Sequence, residues 1–269
     1  MRASTPQHWQ DFWEEAERHG LEDVYDNDGR LVREIAALFG GGTPDLTGRR
    51  ILEVGAGTGR DAVALARMGA EVVTLDYVAG SLVLTQRAAG DAAVAVGPVC
   101  GDGLSMPFVD GTFDVVFHQG LLEHFRDPMP LLRENARVLK PGGRLVVDVP
   151  QTFHYYTVGK QVLIRLGRWF AGWETQFTVA ELERLMQAAG TDIERSYGDW
   201  MVPGLWYRAL RKIVLRRTGR RLPKHPEPLW PFGPLGRAWR GWFGRTRLSL
   251  YTTPTIGVIG RKPGGGGAP

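Results

Sequence analysis

The stretch ILEVGAGTGRDAVALARMGAEVVTLD, residues 51–76, fixes how the rest of this chain is read. It opens on a short apolar run, turns through three glycines at alternate positions, and continues with apolar residues at helical spacing. A second apolar run then ends on Asp76. Strand, glycine-rich turn, helix and strand in that order make a βαβ unit, whose two strands lie parallel in one sheet.

The alternation extends outward. Strands are predicted at 50–55, 71–75, 94–100, 113–118 and 144–149, with helices at 59–68, 80–89 and 127–139. Such a series predicts a doubly wound α/β fold, a mainly parallel sheet with helices on both faces. Upstream, residues 6–18 and 29–39 read as helices, and GGGTPDLTG (40–48) as a loop. Downstream, FTVAELERLMQAAG (177–190) predicts a helix with Thr178 as N-cap, Glu181 at the third position and Gly190 as stop. Strands at Ile193–Tyr197 and Thr255–Gly260 would bring the sheet to seven. The predicted organisation is therefore an N-terminal helical cap (1–46), an α/β core (47–150), an amphipathic insertion (151–176) and a core helix and strand (177–199). A basic, Trp-rich insertion (200–250), the last strand (251–262) and a disordered tail (263–269) complete it.

With 43% hydrophobic residues over 269 positions, the chain can bury a full core without disulfides, and its single cysteine, Cys100, can form no internal bridge. The N-terminal stretch lacks the apolar core of a secretory signal, and no apolar run reaches spanning length. These features predict a soluble, cytoplasmic protein. The net charge of +4 conceals a segregation: from Trp200 onward there are 14 Lys+Arg and one acidic residue, Glu227, against 19 and 28 before it. A basic final quarter on an acidic body points to an anionic surface or acceptor, or else to a solvated basic face.

Gly55, Gly57 and Gly59 follow a G-x-G-x-G spacing rather than the G-x-G-x-x-G of dinucleotide-binding proteins. Glycines let the backbone turn tightly and approach a ligand, and Asp76 suits a ribose diol. Nicotinamide, flavin and S-adenosylmethionine (SAM) cofactors all carry such a ribose, so these residues alone leave the cofactor open.

Glu53 lies two positions before Gly55, and E-x-G-x-G-x-G resembles motif I of the class I SAM-dependent methyltransferases. GDGLSMPFVDGTFDVVFHQGLLEHF, RDPMPLLRENARVLKPGGRLVVDVP and TVAELERLMQAAG resemble, in order, that family's later segments. The resemblance covers residues 50–150 and, more weakly, 177–197, and is to the family's small-molecule and lipid branch. It implies SAM as cofactor and a Rossmann-like fold. It further implies that Gly55, Ala56 and Gly57 lie against the cofactor, and that Glu53 orients the loop and faces its ammonium. Asp76 would take the ribose hydroxyls, with Tyr77 beside the adenine. Asp102 would take the adenine amino group, flanked by Gly103 and Leu104, and Gln119 would line the transfer channel.

Methyl transfer from a sulfonium is an in-line displacement, helped chiefly by alignment of the acceptor. A hydroxyl or carbon acceptor must also lose a proton. His124 and His154 follow predicted strands at their carboxyl ends, where doubly wound folds place ligands, and both are candidate bases. No metal-binding or covalent-catalysis pattern is present.

Three segments combine Trp, an apolar stripe and cations. Residues 160–173 set Val162, Leu163, Leu166, Trp169, Phe170 and Trp173 on one helical stripe, with Lys160, Arg165 and Arg168 off it. Residues 205–217 and 235–245 repeat the pattern, and the proline-rich stretch 223–234 separates them. Such helices can lie in a membrane interface or pack as a lid. The expected reaction is methyl transfer to an amphipathic or lipid-like small molecule, with peripheral contact to an anionic membrane through 160–173 and 205–245. A soluble metabolite under a lid, and a SAM-binding regulator without transfer, remain alternatives. Nucleic acid ranks lower, because HQGLLEHF lacks the N/D-P-P-Y/F of base-modifying relatives. Oligomeric state is not legible.

Overall fold

The computed structural model describes residues 5–19, 29–40, 45–169, 172–200, 204–223, 226, 232–244 and 246–264. Phe170, the side chains of Leu205 and Arg208, most of 223–234, and residues 265–269 of the expected disordered tail lie outside them.

Seven strands form one sheet: β1 Arg50–Val54, β2 Glu71–Asp76, β3 Val96–Cys100, β4 Phe113–Gln119, β5 Leu139–Pro150, β6 Asp192–Asp199 and β7 Thr255–Arg261. Their order is β3-β2-β1-β4-β5-β7-β6. The first five are mutually parallel, and β7 runs antiparallel to both β5 and β6. The predicted doubly wound, mainly parallel sheet is thus the observed one. Strand order reverses between β1 and β4, which opens a crevice at their carboxyl ends.

Alternate residues of the central strands enter two separate cores, as the pleat requires. Leu52, Val54, Val116, Leu145, Val147 and Val258 pack on one face with Leu131 and Leu132 of α5 (Met129–Val138) and Leu182 and Met186 of α7 (Val179–Ala188). Ile51, Val115, Phe117 and Val146 pack on the other face. Their partners are Leu31 and Ile35 of α2 (Arg30–Ala36) and Ala62 and Leu65 of α3 (Arg60–Ala66). Fully buried on both faces, these strands read as continuous apolar runs. The capping box of α7 forms as expected: Thr178 Oγ1 accepts the Glu181 N–H at 3.2 Å, and Glu181 Oε2 accepts the Thr178 N–H at 2.8 Å.

Two further helices bear on the crevice, α1 (Pro6–His19) and α6 (Tyr155–Arg165), while α4 (Ala79–Asp91) packs against α1, α3 and β3. α1 lies over the glycine loop. α6 corrects the expected 160–173 helix, because it begins five residues earlier and stops at Arg165, with Gly167 in the left-handed region at φ 66°. Its orientation also differs from expectation. Lys160, assigned to the solvent face, is buried at 4% exposure, while Val162, Leu163 and Leu166 of the apolar stripe are exposed. Between β6 and β7 the basic insertion forms α8 (Leu205–Thr218) and α9 (Phe232–Phe243), followed by a 3-10 turn at Arg247–Tyr251. No helix among the described residues is long and apolar enough to cross a membrane.

Candidate active site

β1 ends at Val54, and the chain then turns through Gly55, Gly57 and Gly59 at φ 66°, 54° and 64°. Only glycine adopts these angles without strain, and space is denied to a side chain as well. A Cβ on Gly57 would fall 2.7 Å from the Trp13 ring of α1, and one on Gly59 would fall 2.4 Å from Thr85 of α4. Gly59 therefore serves the close approach of two helices, whereas Gly55 and Gly57 face a cavity.

Two carboxylates brace this loop. Asp76, at the end of β2, accepts the Gly57 N–H at 3.1 Å through one oxygen and the Val78 N–H at 2.9 Å through the other. Burial raises its pKa, and those two hydrogen bonds hold it down in part. Glu53 Oε2 accepts the Ala62 N–H at 3.1 Å in the first turn of α3. Burial, followed by the charge of Asp61, pushes the Glu53 carboxyl well above its ordinary value. Asp102 accepts the Leu104 N–H at 2.9 Å and so starts a turn. The Tyr77 phenol is pushed up to about 12, by burial first and then by Asp76 and Asp102.

These residues line one cavity of about 610 Å³, within the range of ligand sites. Glu53, Gly55, Ala56, Gly57, Asp76, Tyr77, Asp102, Gly103, Gln119 and His124 all border it, whereas Leu104 and His154 do not. His154 instead caps α6, its Nδ1 accepting the Tyr156 N–H at 3.3 Å. The His124 ring meets Trp9 of α1 edge-on, with centroids 4.9 Å apart. Burial lowers the His124 pKa, against an opposing effect of Glu174 and a backbone hydrogen bond at Trp173.

Beyond Gln119 the cavity continues into a charged recess. Arg30 pairs with Asp148 at 2.9 Å, and Lys160 pairs with Glu174. Trp169 Nε1 donates to the other Glu174 oxygen at 2.5 Å. Glu123, 4% exposed, completes the recess. None of these was singled out in the sequence as a site residue, nor were the cavity-lining Trp9 and Trp13. Glu123 sits in LLEHF beside the His124 that was, so its signal was adjacency. Lys160 and Glu174 carry no local signal, since their pairing is a tertiary event.

Residues 52–147 match the family described as Methyltransferase domain. That stretch carries a methyltransferase domain, as the resemblance implies. Over 158 residues the chain is 34% identical to the ubiquinone biosynthesis O-methyltransferase of Azorhizobium caulinodans, covering 57% of this chain and 62% of that one. Over 121 residues it is 40% identical to the demethylmenaquinone methyltransferase of Mycolicibacterium paratuberculosis, covering 44% of this chain and 50% of that one. The chain thus spans between half and about three-fifths of the length of these two relatives. Its fold is shared with the magnesium protoporphyrin IX methyltransferase of Synechocystis PCC 6803, solved with bound SAH (the demethylated cofactor, S-adenosylhomocysteine). The TM-score is 0.61 at 14% identity, covering 96% of this chain and 97% of that one.

Proposed function

We propose that the chain is a SAM-dependent methyltransferase for an amphipathic, lipid-like small molecule, working at the cytoplasmic face of a membrane. The observation that carries this is the continuity of one cavity, from the glycine loop through Gln119 to a recess under α6, whose outer surface is apolar. The glycine turn and the carboxylates of Glu53, Asp61, Asp76 and Asp102 fit a cofactor bearing both an ammonium and a sulfonium. Glu53, Gly55, Ala56 and Gly57 would face its amino-acid part, Asp76 its ribose, and Tyr77, Asp102 and Gly103 its adenine, while Gln119 would line the transfer channel. When bound, SAM supplies a methyl group on positively charged sulfur, open to attack by a lone pair. The protein's part is to align the acceptor and exclude water, and Trp9, Trp13, Tyr156 and Trp169 wall the cavity for that purpose. His124 stays neutral as a wall group, and His154 holds the start of α6.

The names of the two relatives, referring to ubiquinone biosynthesis and demethylmenaquinone, favour a lipid-like acceptor. So does the surface. On α8, Trp206 is 71% exposed and Leu210, Ile213 and Leu215 are also outward. On α9, Leu235, Trp239 and Trp242 are exposed, the last at 68%. These stripes carry cations beside them, the pattern of helices that lie in an anionic interface.

Transfer of labelled methyl from SAM into a lysate of the source organism, followed by organic extraction, tests the reading. Label in the organic phase is expected. Label confined to water would replace the lipid with a soluble metabolite under a lid. No label at all, with SAM bound, would leave a cofactor-binding regulator.

A further inference from the structure

The charged recess contains a carboxyl group, that of Glu123, with no ion pair among the described residues. Lys160 is matched by one Glu174 oxygen and Trp169 Nε1 by the other, while Arg30 is matched by Asp148. Glu123 stands apart. Its backbone carbonyl accepts the Thr175 N–H at 2.8 Å, fixing the turn at Leu122–His124, but its Oε2 is buried and has no hydrogen-bond partner among the described residues. Folded proteins leave few buried polar atoms in this condition, because each costs about 1–3 kcal/mol. Glu123 also lines the cavity, five residues beyond His118 and just past the end of β4, at the crevice where strand order reverses. A buried carboxyl group with an unpartnered oxygen, on a residue that lines the cavity, suits a hydrogen-bond donor carried by the acceptor.

We infer that the acceptor presents a hydroxyl to Glu123, and that Glu123 is the base that takes its proton. The inference rests on the methyltransferase reading. As the hydroxyl oxygen forms its bond to the methyl carbon, the O–H proton passes to the Glu123 carboxylate. The carbon–sulfur bond breaks and its electron pair returns to sulfur, leaving a neutral thioether. Lys160, on the same cavity wall, faces the negative charge that builds on the acceptor oxygen and disfavours a cationic amine in that position. Burial, with the nearby charges of Glu174 and Asp148, places the Glu123 pKa at about 8, Lys160 opposing. That is a suitable value for a base working near neutrality. His124 and Tyr156 are further titratable groups at the wall, beside Asp148, Lys160 and Glu174.

The probe is 4-nitrocatechol, a hydroxyl acceptor whose ionised form is coloured. With SAM, wild-type turnover is expected to rise with pH through about 8. E123Q is expected to lose at least ~100-fold in kcat and to lose that rise, E123D to fall between, and H124Q to keep the rise. With SAH in place of SAM, wild type and E123Q are both expected to bind the demethylated cofactor. SAH affinity, measured by calorimetry, should be alike in both. An E123Q rate equal to wild type, a rate falling through pH 8, or a rise lost in H124Q and kept in E123Q would each overturn the inference. Refusal of the probe by a wild-type protein that binds SAH would overturn it while the cofactor reading stands. Failure of wild type to bind SAH would remove the reading underneath.

Discussion

Replacing Glu123 by glutamine keeps the shape of the side chain and removes one titratable group, which makes its effect on stability calculable. In the folded protein the carboxyl titrates at about 8, against 4.5 ordinarily. Below pH 4.5 the group is protonated in both folded and unfolded chains, and it adds no pH dependence. Between 4.5 and 8 the unfolded chain releases the proton while the folded chain keeps it, so stability falls as pH rises, and above 8 the loss is complete. At about 1.4 kcal/mol per unit, the cost is roughly 3 kcal/mol at pH 7 and roughly 4 at pH 8. This is a ceiling, since water entering the cavity lowers it. E123Q escapes the cost, and its new amide finds no more partners than the acid did. Urea unfolding of wild type and E123Q at pH 4, 6, 7 and 8 is expected to give equal midpoints at pH 4 and a growing advantage for E123Q above it. Carboxylates remote from the recess titrate alike in both proteins and cancel. A difference that does not change with pH, or an E123Q less stable at pH 8, would refute the assignment of a buried, unpartnered acid. A variant more stable and less active is the exchange expected of a group kept for chemistry.

Other positions give independent tests. K160M strips the buried Glu174 of its counter-charge and should destabilise the fold by about 3–5 kcal/mol at pH 7, read as a lower urea midpoint with altered Trp169 fluorescence. G57A forces a side chain onto a left-handed residue and into the Trp13 ring, and should weaken SAH binding by roughly tenfold or more in calorimetry. T178A removes one half of the α7 capping box and should cost about 1 kcal/mol in urea, with SAH affinity unchanged. A W206S/W242S double variant should lose binding to anionic liposomes while retaining SAH affinity, since both rings are exposed and remote from the glycine loop in sequence.

The βαβ core was legible because its signals are local. Glycines at 55, 57 and 59, the acid closing β2, and the Thr178–Glu181 pair each act within a few residues of themselves. The antiparallel pairing of β6 with β7 was not written locally, and only the leftover strand count suggested it. Periodicity grouped Val162, Leu163 and Leu166 on one face of α6, but it could not say which way that face turns. The usual expectation of apolar inward fails there, because Glu174 offers Lys160 a buried partner. Trp9 and Trp13 looked like the core face of an ordinary helix. Their position over Gly57 and His124 depends on where α1 lands, and its sequence holds no trace of that.

The link between β6 and β7 joins two hydrogen-bonded neighbours that a tight turn of about four residues could connect, yet it occupies residues 200–254. Chain-closure entropy grows only with the logarithm of length, so the longer link costs the sheet about 2 kcal/mol more. What lies between Asp199 and Thr255 can be lengthened, shortened or exchanged at little thermodynamic penalty, while the strands on either side stay in register. The glycine loop proposed for the cofactor lies at the opposite half of the sheet, at the ends of β1 and β2. Innovation at the outer helices and constancy at the methyl donor are thereby uncoupled: grafting the link from one such fold to another should carry its surface preference with it.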